Sequence, residues 1–113
     1  MGGLKTKLLF ICSRNLWRSR TAEDIFKGTP GLEVRSAGTQ PGARIRVTES
    51  LIRWADIVFV MERKHRDILQ ERFEEAMDGR AVYCLDIPDE FSYMDAELVE
   101  LLRDRIGEII GVR

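Results

Sequence analysis

The stretch "LFICSRNLWRSRTAEDIF", residues 9–26, sets a cysteine directly after a four-residue apolar run, an arginine six positions later, and then a helical pattern. "KLLFIC" (7–12) suits a buried strand, and Ala22, Ile25 and Phe26 share one face of a helix. The residues between Cys12 and Ser19 cannot stay extended over so short a link, so they curl. A curled backbone at a helix N-terminus turns several N–H groups inward and makes an anion cradle. A Cys12 thiolate there is stabilised by those amides, by the helix dipole and by Arg18. Arg18 can grip two oxygens of a tetrahedral oxyanion at once, which makes the sulfur a nucleophile in position. The competing reading of Cys12 is a buried structural cysteine at a strand end.

Outward from this turn the pattern alternates. "GTPG" (28–31) stops the first helix, and "LEVRSAG" (32–38) alternates like a strand. "QPGA" (40–43) is a loop, and Ile45, Thr48, Leu51 and Ile52 suggest a short helix. "ADIVFVM" (55–61) is the most strand-like run. Residues 62–77 place His65, Ile68, Leu69, Phe73 and Met77 near one stripe, which predicts a single helix. "RAVYCL" (80–85) reads as a fourth buried strand. Pro88 keeps 86–94 irregular. Asp95 then caps a last helix whose apolar face is Leu98, Leu101, Leu102, Ile106, Ile109 and Ile110.

Buried runs separated by helices predict a small α/β three-layer sandwich around a four-stranded parallel sheet with right-handed crossovers. Ligands of such sheets bind beyond the carboxyl ends of the strands. The places to look are therefore 12–19, 36–42, 62–65 and 86–95.

The 113 residues suit one domain spanning 1–113, with 44% hydrophobic and 33% charged residues, as in a soluble globular protein. No apolar run approaches a membrane span and no secretory leader pattern opens the chain. Two cysteines fit a reducing compartment, hence the cytoplasm, rather than a disulfide framework. The net charge of −1 hides an asymmetry: residues 1–54 carry ten Lys/Arg against four Asp/Glu, and 55–113 carry eight against fifteen. The basic half holds the Cys12–Arg18 turn and favours an anionic ligand. No basic run with interleaved aromatics suggests nucleic acid. One histidine and two cysteines leave no usual metal-ligand spacing.

The stretch 9–26 resembles the signature of the low-molecular-weight protein tyrosine phosphatases, Cys-x-Gly-Asn-x-Cys-Arg-Ser after a strand. Cys12, Asn15, Arg18 and Ser19 match, as do the following Ala-Glu and Phe26. "VRSAGT" (34–39) is similar to the Ser-Ala-Gly-Thr after the family's second strand, and "ARIRVT" (43–48) and "ADIVFVMERKHRDIL" (55–69) to its third-strand region. The resemblance implies that the amides of Ser13, Arg14, Asn15, Leu16, Trp17 and Arg18 bind phosphate, and that Ser19 and Ser36 support the loop. Three departures stand out. Arg14 replaces the family glycine, and Trp17 replaces the second cysteine and so removes a possible disulfide partner. The segment between Ser-Ala-Gly-Thr and "AR" is short, and lacks a histidine that braces the loop in typical members.

In the family a loop aspartate protonates the leaving oxygen. Here "LDIPDEFSYMDAE" (85–97) offers Asp89, which overlays the family's Pro-Asp-Pro-aromatic stretch, and Asp86, which could instead cap a strand end or pair with Arg18. Phe91, Tyr93 and Trp17 are candidate pocket walls or core anchors. Trp54 is expected at a helix end, His65 as a packed, hydrogen-bonded histidine and Cys84 as inert core. The expected activity is hydrolysis of a phosphorylated protein or small phosphate monoester through a cysteinyl phosphate, with no cofactor and no metal. Two alternatives stand beside it: a phosphate- or phosphoprotein-binding module with little turnover, and an arsenate reductase, which needs further cysteines.

Overall fold

A computed structural model describes residues 4–111. Along the chain it contains β1 (Thr6–Cys12), α1 (Arg18–Phe26), β2 (Leu32–Gly38), α2 (Glu49–Trp54), β3 (Ile57–Val60), α3 (Arg63–Arg72), α4 (Glu74–Met77), β4 (Ala81–Cys84) and α5 (Ala96–Ile110). All pairings are parallel, and the sheet order is β2-β1-β3-β4. The α/β sandwich with a four-stranded parallel sheet expected from the sequence is the fold that is found.

Alternation along β1 builds both cores. Leu8, Phe10 and Cys12 face a layer holding Ala22 and Phe26 of α1 and Leu98, Leu102 and Ile106 of α5. Leu9 and Ile11 face Ile52 of α2, Leu69 of α3 and Ala76 and Met77 of α4. Successive strand side chains point to opposite faces, so a central strand covered on both sides reads as one continuous apolar run.

Two sequence expectations change. Residues 62–77 form two helices, because Phe73 takes φ −130°, ψ 44° and breaks the ladder between α3 and α4. β4 is an edge strand, so alternate residues of "AVYC" face outward and Cys84 is half-buried rather than core. Its thiol donates to Asp86 Oδ1 at 3.4 Å, and burial leads the causes that push its pKa up.

Asp95 is the cap the sequence predicts, whereas Thr48, expected inside the short helix together with Ile45, stands before it as its N-cap. Asp95 accepts from the N–H of Glu97 at 2.9 Å and of Leu98 at 3.4 Å, and Thr48 accepts from Leu51 N–H at 3.2 Å. Trp54 ends α2, with the Arg35 guanidinium 4.4 Å from its ring centre. Among the described residues no helix is long and apolar enough to cross a membrane.

Candidate active site

The register sets the carboxyl ends of the strands side by side: Cys12 pairs with Gly38, Ile11 with Val60, and Val60 with Cys84. The four turns singled out above therefore meet at one edge. Residues 13–17 curl from β1 into α1, with Asn15 in the left-handed region at φ 59°, where asparagine is tolerated better than most residues. Arg14 is not among the residues of positive φ, so an arginine is accommodated where the family has glycine.

Hydrogen-bond directions around the sulfur follow from which groups have protons to give. Asn15 Nδ2 donates to Ser19 Oγ at 2.7 Å and to Ser36 Oγ at 2.8 Å. Ser36 in turn donates to the Glu23 carboxylate. Ser19 Oγ, having accepted from Asn15, lies 2.9 Å from Cys12 Sγ, a contact in which either atom can donate, and can also donate to the Ala37 carbonyl at 3.5 Å. The Asn15 backbone N–H also points to Cys12 Sγ, at 3.2 Å. A backbone N–H and a hydroxyl thus stand within hydrogen-bonding distance of the sulfur.

Arg18 is 2% exposed. Its Nη1 donates to Glu62 Oε1 at 2.6 Å and to the Ile87 carbonyl at 2.8 Å. Nε–H and the Nη2 protons remain, in the side-on geometry by which a guanidinium can grip two oxygens of an oxyanion. Asp89 Oδ1 lies 3.7 Å from Nε, on the side of that fork. Burial acts to raise the Glu62 pKa, but the hydrogen bond and charge of Arg18, with Lys64 and His65, outweigh it and hold the carboxyl below its ordinary value.

His65 is fully buried. The Glu62 N–H donates to its Nδ1 at 3.1 Å, and its Nε2 lies 2.8 Å from Ser13 Oγ. Burial first, then the charge of Arg18, lower its pKa to about 4, against the pull of Glu62. The ring is therefore neutral near pH 7.

A narrow cleft of about 30 Å³ opens among Cys12, Ser13, Arg14, Leu16, Trp17 and Arg18, with Asp89. A wider groove, about 320 Å³, runs past Arg103 and Glu108 of α5, but no nucleophile lines it. The narrow cleft is the one that joins Cys12 to Arg18 and Asp89. Asp86 is not among its lining residues. It sits exposed at φ 52° and turns toward Cys84, not Arg18. Phe91 is buried in the core below. Tyr93 is 41% exposed, bonded to Asp24 and stacked by Arg20.

The sequence placed 62–65 and 36–42 among the turns where a ligand would bind, but gave Glu62 no role of its own and did not show the bracing by the segment after β2. Thr39 N–H donates to Cys12 O, Gln40 N–H to Ser13 O and Arg44 N–H to Arg14 O, each at 3.0 Å, and Arg44 Nε donates to Asn15 O. The short connection therefore runs along the loop as a brace. The one available signal for Glu62 and His65 was their spacing of three at a strand-to-helix turn, which is a capping box here.

No family model matches the chain. The methionine–tRNA ligase of Bacillus subtilis is 29% identical over 62 residues, 50% of this chain, which spans only 9% of that enzyme. Solved structures align almost end to end. The YwlE arginine phosphatase from Geobacillus stearothermophilus matches with TM-score 0.74 and 27% identity, covering 94% of this chain and 93% of that one. SP-PTP, a low molecular weight protein tyrosine phosphatase from Streptococcus pyogenes, matches with TM-score 0.78 and 17% identity, covering 94% and 91%. With the same fold over nearly the whole chain and the Cys12–Ser19 signature on its first turn, the chain has the fold of the low-molecular-weight protein tyrosine phosphatases and is similar to them.

Proposed function

We propose that this protein hydrolyses phosphate monoesters by cysteine catalysis, with phosphotyrosine-like aryl phosphates as its substrate class. The observation that carries the reading is Cys12 Sγ held by Ser19 and Asn15 beside a buried Arg18 whose outer fork faces the cleft, with Asp89 Oδ1 3.7 Å from its Nε. Cys12 attacks phosphorus and the ester P–O bond breaks. Arg18 and the amides of residues 13–18 hold the equatorial oxygens. Asp89 gives its proton to the leaving oxygen. Asp89, now a carboxylate, takes a proton from water, whose oxygen attacks phosphorus, and the P–S bond breaks to release inorganic phosphate. Asp89 carries the acid role because it lines the cleft and Asp86 does not. Leu16 and Trp17, 36% and 43% exposed at the cleft, offer apolar surface to an aryl group.

The 27% identity to an arginine phosphatase favours a second reading, cleavage of a phosphoramidate P–N bond by the same sulfur. Turnover of p-nitrophenyl phosphate, a phosphotyrosine peptide and phosphoarginine decides between them. The expected result is turnover of the two aryl phosphates, abolished in Cys12→Ser and reduced by about two orders of magnitude in Asp89→Asn. Preference for phosphoarginine would replace the aryl reading. Phosphate binding without any turnover would leave a binding module.

A further inference from the structure

We propose that the Ser13 side-chain hydroxyl is a direct ligand of the phosphoryl group, and that His65 is the positioning residue that aims it. The inference rests on the reading of the 12–19 turn as a phosphate cradle, and adds to it a donor beyond the backbone amides.

Proton bookkeeping leaves one arrangement. The Glu62 N–H points at His65 Nδ1, so that nitrogen carries a lone pair and the proton of the neutral ring sits on Nε2. Nε2–H then donates to Ser13 Oγ at 2.8 Å. A serine hydroxyl has one proton, and with this lone pair occupied that proton must point elsewhere. His65 is the one protein partner of Ser13 Oγ among the described residues. Ser13 is 9% exposed, and the space it borders is the cleft shared with Cys12 and Arg18. The hydroxyl proton therefore points where phosphoryl oxygens would sit.

The brace also couples both ends of the loop. Glu62 holds Arg18 through its carboxylate at 2.6 Å and orients His65 through its backbone N–H. His65 holds Ser13. One capping box at the start of α3 thus presents a guanidinium and a hydroxyl to the same anion. Since His65 is neutral down to about pH 4, the hydroxyl stays aimed throughout the range in which a phosphate monoester is a dianion.

The experiment measures orthovanadate affinity and p-nitrophenyl phosphate turnover for wild type, Ser13→Ala, Ser13→Thr, His65→Ala, His65→Gln and the Ser13→Ala/His65→Ala double variant. Ser13→Ala should weaken orthovanadate binding about tenfold, and Ser13→Thr, which keeps the hydroxyl, should restore most of it. His65→Ala should weaken binding similarly, with partial rescue by glutamine, whose amide can still donate. The double variant should bind no worse than Ser13→Ala, because the two act as one unit. A purely structural His65 would lower the melting temperature and multiply its effect with that of Ser13. Wild-type affinity in Ser13→Ala, or multiplying losses, overturns the proposal while Cys12-dependent turnover stands. A wild-type protein that neither binds orthovanadate nor turns over overturns the phosphatase reading and this inference together. Should His65→Ala fail to fold, the Ser13→Ala and Ser13→Thr pair decides alone.

Discussion

His65 shows how much one buried side chain can govern. In the unfolded chain its ring titrates near 6.5, and in the fold burial lowers that to about 4. Between those values the unfolded state binds a proton that the native state refuses. Its contribution to stability is therefore complete above about pH 6.5 and is lost as pH falls toward 4. The difference corresponds to about 3 kcal/mol. Urea denaturation of wild type should lose about that much between pH 6.5 and 4, and His65→Gln should be much flatter across the same window. Equal slopes in the two proteins would sink the assignment. Glu62, also depressed, acts lower: its contribution is present above about 4.5 and lost below. The sequence showed His65 as a packed, hydrogen-bonded residue on a helical stripe, which is how it sits. Its partner Ser13 lies 52 positions away and Glu62 lies 44 from Arg18, so only the β1–β3 pairing joins them. No local pattern encodes a contact of that span.

Among the elements, the connection after β2 is the most demanding. Gly38 ends the strand, and a Cβ there would stand 2.5 Å from Ser13 O and 2.7 Å from Ala43 Cβ. The first of these is backbone of the 12–19 loop itself, so the loop must yield. Gly38→Ala should cost about 1–3 kcal/mol of stability by overpacking and reduce turnover at least tenfold, since small misplacements at the reacting centre are expensive. Gly42→Ala, where nothing lies within 4 Å, is the matched control and should leave both unchanged. Comparable behaviour of the two variants would mean that the brace does not hold the loop. Ser-Ala-Gly-Thr was legible as a resemblance, and the close approach that requires its glycine was not. Strand and helix positions were legible because apolar periodicity is local. The break at Phe73 was not, because Phe73 packs against the second core and so keeps the stripe unbroken while the backbone turns. The edge position of β4 was hidden for a related reason: "RAVYCL" has strand composition, but only the sheet order decides which strands are covered.

Across the whole molecule, one sheet is stabilised from two sides while its candidate site sits along one edge. The first core joins β1 and β3 to α1 and α5, and the second joins them to α2, α3 and α4. The loop itself is held by polar contacts from Ser36, Glu62, His65 and the 39–44 segment, not by α5. α5 touches the loop after β4 through Arg105, whose Nη1 donates to the carbonyls of Leu85 at 2.6 Å and Asp86 at 2.8 Å. Stability and chemistry should therefore separate in a variant of the α5 core. Leu102 is fully buried in the first core. Its truncation to alanine should cost about 2–5 kcal/mol, transfer and cavity terms together, a large share of the roughly 5–15 kcal/mol typical of a folded domain. Below the lowered melting transition, KM and kcat for p-nitrophenyl phosphate should match wild type within about twofold, since the polar contacts that hold the 12–19 loop stay in place. Guanidinium denaturation followed by steady-state kinetics on the same samples reads both quantities. A KM that rises in step with the lost stability would show that α5 packing, rather than the polar brace, holds the loop in shape.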